Sequence, residues 1–158
     1  MWDQARARRA RTAVRSKRAR VRIDAEAEAI GPRVRQMFDE LDALSVPTDD
    51  RHMVELALCE IVSTVRSAAF GDGPGGTIML SAGPAPRGLW CQLIDNGRAM
   101  ARDAADIPRA LSLHGGEASF GWLMVESLTR DLRYRPRPGM NVLSFRMPVQ
   151  GFATEHVF

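Results

Sequence analysis

Leu93-Ile94-Asp95-Asn96-Gly97 is the stretch on which the fold turns. A short apolar run that stops at an acid, an amide and a glycine reads as a strand ending at the mouth of a sheet. The glycine there permits a sharp turn and the close approach of a ligand. Residues 77–82 and 89–94 are strand-like runs flanking a Gly/Pro turn, which predicts a hairpin with a longer loop. Upstream, apolar residues at helical spacing predict a helix over 51–69, capped by Thr48 or Asp49 and stopped by Gly71-Asp72-Gly73-Pro74-Gly75-Gly76. Before it, Val21 and Ile23 alternate with polar residues as in a strand. Ile30, Val34, Met37, Phe38, Leu41 and Leu44 then recur at helical spacing.

Downstream of Gly97, residues 98–118 contain Pro108, Gly115 and Gly116 and read as a mobile loop holding one short helix. A helix follows over 120–128, and strands over 132–135 and 141–147 close a hairpin around Pro136-Arg137-Pro138-Gly139. The order strand, two helices, hairpin, loop, helix, hairpin predicts an α+β fold. It is a two-layer α/β sandwich whose mixed, mostly antiparallel sheet is covered on one face by about three helices. The organisation expected is a basic extension over 1–19, one domain over 20–148 and a tail over 149–158.

A chain of 158 residues with 45% hydrophobic content has room for one core. It contains no apolar run of membrane-spanning length and no secretory leader pattern, so a cytoplasmic location is expected. Cys59 and Cys91 form neither a disulfide framework nor a metal knuckle, and His52, His114 and His156 lack metal-ligand spacing. Residues 1–22 carry eight Arg and Lys17 against Asp3, a charge of +8; the net charge of +3 therefore leaves −5 for the rest. An acidic body argues against direct nucleic-acid binding by a uniformly basic domain. Arg8, Arg11, Arg15, Arg18 and Arg22 would line one face of a helix if the extension were helical.

Three pieces carry chemistry. Glu60 and Thr64 are four residues apart, hence on one helix face beside the apolar stripe of Leu58, Ile61 and Val65. Asp95 can accept a hydrogen bond from an amino group. Ser119-Phe120-Gly121-Trp122 would open a helix whose first N–H groups can face an anion such as phosphate.

In this order the pieces resemble the GHKL ATPase superfamily and, within it, the bacterial anti-sigma-factor serine kinases. Leu56-Ala57-Leu58-Cys59-Glu60-Ile61-Val62-Ser63-Thr64 looks like the N box, Leu93 to Gly97 the first glycine box, and Ser119 to Met124 the second. The resemblance implies that Asp95 binds the adenine amino group of ATP and that Gly97 lets the base approach. It implies further that Ser119 and Gly121 sit near the phosphates, that Glu60 is the general base on an attacking serine, and that 98–118 is the lid. The partners implied are a sigma factor and an anti-anti-sigma protein of the STAS type; oligomeric state, a homodimer included, stays open. Thr64 stands where the family carries its Mg²⁺-ligating asparagine, Ala68 where a histidine is usual, and Ala99 and Ser119 where glycines are expected. Three readings result: an active kinase, a binding module with weakened ATP chemistry, and a phosphotransfer protein using His114.

Overall fold

The computed structural model describes residues 18–24, 29–41, 48–112 and 116–148. Strand β1 (Ala19–Asp24) is followed by helices α1 (Ile30–Leu41) and α2 (Thr48–Phe70) and the hairpin β2 (Thr77–Ala85) and β3 (Gly88–Asp95). A 3-10 turn (Ala104–Asp106), the short helix α3 (Ile107–Ser112), helix α4 (Gly116–Leu128), β4 (Arg130–Arg135) and β5 (Asn141–Pro148) complete the fold.

The five strands form one sheet in the order β1-β2-β3-β5-β4, and all four pairings are antiparallel. The α+β sandwich expected from the pattern is what the chain adopts. Alternation along the strands sends Val21, Ile23, Ile78, Leu80, Leu93, Leu143 and Phe145 to one face, where they are buried in the core shared with the helices. Helix α1 contributes Val34, Met37 and Phe38 to this core, α2 contributes Leu58, Ile61 and Val65, and α4 contributes Trp122 and Val125. Each helix thus buries one stripe; the outer sides of α2 and α4 still expose Met53, Leu56, Leu123 and Met124. Helix α2 lies between α1 and α4 and packs against both. Arg51 ties α1 to α2, with its guanidinium 2.6 Å from Asp39 and 2.8 Å from Glu55.

Three boundaries differ from expectation. The β2–β3 connection is a tight turn, because Ala85 already pairs with Gly88. Pro86 presets the first central position and Arg87 takes a positive φ of 65° at the second, as type II turns require. Pro84 is tolerated because β1 stops pairing at Ala82, so this end of β2 has a partner on one side only. Second, α2 begins at Thr48, so Thr48 and Asp49, read as its caps, belong to the helix itself; Arg20 and Arg22 lie in β1, as the strand read around Val21 and Ile23 implies. Third, α4 begins at Gly116 and not at Phe120. The helix extends through Gly116 despite the weak helix propensity of glycine. His114, residues 1–17 and residues 149–158 lie outside the described residues.

Candidate functional site

Helix α2 is the spine of the site. Its middle presents Glu60, which is exposed, and Thr64, which is 8% exposed. The Thr64 hydroxyl donates to the Glu60 carbonyl at 2.9 Å, the usual way a helical threonine satisfies its proton, and its lone pairs remain for another donor or a cation.

Helix α4 crosses α2 here at Gly121. A Cβ on Gly121 would lie 2.7 Å from Glu60 Oε1 and 3.5 Å from Thr64 Oγ1, so a larger residue here would have to push the Glu60 carboxylate aside. The sequence predicts Gly121 in the first turn of this helix, with its N–H free for phosphate. Because α4 starts at Gly116, Gly121 lies inside the helix and its N–H is used by the helix itself. The Ser119 side chain lies outside the described residues.

The C-terminal end of α2 meets the other half of the site. Asp95 is the last residue of β3 and is 4% exposed. Its Oδ1 accepts from Gly97 N–H at 2.9 Å and from Asn141 Nδ2 at 3.0 Å, and the Asn141 amide donates a second bond to the Gly97 carbonyl at 2.9 Å. Burial pushes the Asp95 carboxyl above the ordinary carboxylate range, while the hydrogen bonds from Asn141 and Gly97 act in the opposite direction. Gly97 lies against Ala69: an added Cβ would stand 2.7 Å from the Ala69 Cβ, and Arg98 N–H donates to the Ala69 carbonyl at 2.8 Å.

Two clefts of about 590 Å³ each open along this line. One is walled by Glu60, Ser63, Thr64, Ser67 and Arg98; the other by Phe70, the 73–76 loop, Asn96, Gly97 and Arg98. Both are within the size range of small-molecule sites. Arg98 belongs to both walls, where a guanidinium suits a phosphate. The structure therefore brings Glu60, Thr64 and Gly121 together, holds Asp95 and Gly97 as a second group along the same helix, and leaves the Asp95 carboxylate behind the cleft walls.

Residues 3–147 match the family model described as a histidine kinase-like ATPase domain. The chain belongs to the histidine kinase-like ATPase domain family. No curated protein matches it significantly. Membership points to ATP as the ligand of this histidine kinase-like ATPase domain. Among the described residues no helix is long and apolar enough to cross a membrane, and no three His, Cys, Asp or Glu side chains gather as a metal site.

The sequence reading missed Asn141, Arg98 and Tyr134. Asn141 is 2% exposed and sits directly opposite Asp95 in the β3–β5 register. Its one sequence signal is an amide at the first position of a strand, which is weak without the register. Tyr134, on β4, accepts the Met100 N–H at 2.8 Å and so anchors the start of the 98–118 segment to the sheet.

Proposed function

We propose that this histidine kinase-like ATPase domain is a regulator of the anti-sigma type. It binds a sigma factor or an anti-anti-sigma protein of the STAS type by exchange between partners, and ATP acts on it more as an effector than as a phosphoryl donor. Thr64 carries this reading. Its proton is committed to the Glu60 carbonyl at 2.9 Å, and it is a single neutral oxygen in a wall where, among the described residues, no three metal-ligating side chains gather. Mg²⁺ demands near-octahedral oxygen ligation, so an ion there would be held by that hydroxyl, water and the nucleotide's own phosphates. Weak metal retention slows phosphoryl transfer far more than it weakens binding of the base and ribose. At the other end, Asp95 is held through its Oδ1 by Gly97 and Asn141, and recognition of an amino group would require a ligand to reach its other oxygen behind the cleft wall.

Calorimetric titration with ATP, with and without Mg²⁺, tests this. Binding that depends little on Mg²⁺ and is lost in Asp95→Asn is expected; absence of heat under every condition removes ATP from the reading and leaves a partner-binding module. The second reading, an active serine kinase, draws support from Glu60, an exposed carboxylate on the cleft wall one helical turn from Thr64. Transfer of labelled phosphate to a STAS-type partner that disappears in Glu60→Gln would put it first.

A further inference from the structure

The face of the sheet turned away from the helices has a charge pattern that the ATP site does not explain. On this face the strands place their residues in register rows. One row runs Arg20, Ser81, Gln92, Ser144, Arg133, and the next runs Arg22, Met79, Ile94, Val142, Arg135. Each row begins and ends on an arginine at a sheet edge and is uncharged between. Four strand spacings of about 4.8 Å set the two arginine columns roughly 19 Å apart.

A third row strengthens the pattern. Arg18 precedes β1, crosses Gly83 and lays its guanidinium 4.9 Å from the centroid of the Trp90 ring. A Cβ on Gly83 would press on Arg18 Cγ at 3.2 Å, so the glycine leaves space for that crossing. Arg146 and Arg130 follow in the same row. Among the described residues, the carboxylates on this surface are Asp24, 3.4 Å from Arg22, and Asp131, 3.3 Å from Arg146, and arginine remains in clear excess. Among the described residues, no element covers the half-buried strip of Met79, Trp90, Ile94 and Val142.

We infer that this open sheet face is a docking surface for an amphipathic helix of a partner protein, an apolar stripe flanked on both sides by Asp or Glu. The dimensions agree. A helix 10–12 Å across fits over the central strands, and about 14 helical residues span the roughly 20 Å length of a six-residue strand. Its apolar stripe would cover Ile94 and Val142, and its acidic flanks would meet Arg20 and Arg22 on one side and Arg133 and Arg135 on the other. An apolar centre with a charged rim is the arrangement of protein interfaces. Nucleic acid fits less well, because in the two rows that the helix would cover the cations stand at the margins, and Trp90 in the third row is already covered by Arg18. A second copy docked face to face would oppose arginine to arginine, and residues 1–17 of this chain are themselves Arg-rich.

The test uses the full chain and a fluorescent helix-forming peptide of about 14 residues with a Leu stripe between two Glu rows. A peptide of the same composition in scrambled order and a single-stranded oligo-dT serve as competitors. Expected are saturable binding read by the anisotropy of the labelled peptide, weakening with added salt, and a loss of roughly tenfold or more in Arg133→Glu/Arg135→Glu. Neither of these arginines is tied to the core; unchanged thermal unfolding confirms that the variant folds, and Arg22→Glu gives a second arm at the other edge. No binding, equal binding of the scrambled peptide, indifference to charge reversal, stronger binding of oligo-dT, or a dimer that the arginine variants dissociate would each overturn the inference.

Discussion

Two glycines at the site face opposite steric neighbours, and this separates their roles. At Gly121 the neighbour of an added Cβ is the tip of the Glu60 side chain, which can rotate away. Gly121→Ala is therefore expected to leave the melting temperature unchanged or raise it, since alanine is favoured over glycine in a helix by about 1 kcal/mol. Its cost should fall on whatever Glu60 does, read as partner phosphorylation or ATP affinity. At Gly97 the neighbours are the Ala69 carbonyl and Cβ, both fixed in α2. Gly97→Ala should destabilise by about 2 kcal/mol or more through overpacking, seen as a drop in the denaturation midpoint. If the two variants unfolded alike, the rigid and flexible neighbours would not be the deciding difference. Both glycines stand out in the sequence, yet nothing local says that one opposes a carboxylate and the other a backbone.

Among the elements, the segment after β3 is the one whose anchoring the structure explains. The Tyr134 hydroxyl on β4 accepts the Met100 N–H, and both residues are buried. Tyr134→Phe leaves that N–H without its partner, at a cost of about 1–3 kcal/mol. Hydrogen exchange should accelerate over 98–106 before it does elsewhere; unchanged protection there would show that the bond does not hold the segment. The strands should rank in the same measurement. Strand β3 pairs on both sides, whereas β4 is an edge strand with a register shift between Arg130 and Arg133 and a positive φ of 55° at Asp131. Slowest exchange is expected in β3 and faster exchange in β4. Helix α2 and the two hairpins were legible because their apolar periods are long and their stops are Gly/Pro runs. The start of α4 was not, because Gly115-Gly116 reads locally as loop.

For the molecule as a whole, Asp95 links the site to stability. Burial raises its carboxyl above the ordinary value of 3.8, so the folded state holds this proton more tightly than the unfolded chain does. The stability it contributes is therefore full below that ordinary value and is lost as pH rises through the raised one. Asp95→Asn preserves an acceptor toward Gly97 and Asn141 without the buried charge. Its melting temperature is expected to vary less with pH just above the ordinary carboxylate range, and to equal or exceed that of the parent at neutral pH. A lower value at neutral pH would mean that the ionised carboxylate gains more from its hydrogen bonds than burial costs it.

The sequence by itself determined the order of strands and helices, the single core, the acidic body behind a basic start, and the grouping of Glu60, Thr64, Asp95 and Gly97 into motifs. These are local properties, carried by periods of two and 3.6 and by residue types at short spacing. Only the tertiary structure decided that Gly121 abuts Glu60, that Asn141 holds Asp95, and that the arginines of β1 and β4 frame one open face. Each depends on which strand lies beside which and in what register, and residues 44 or more positions apart are brought together by pairing and packing that no short stretch of chain records.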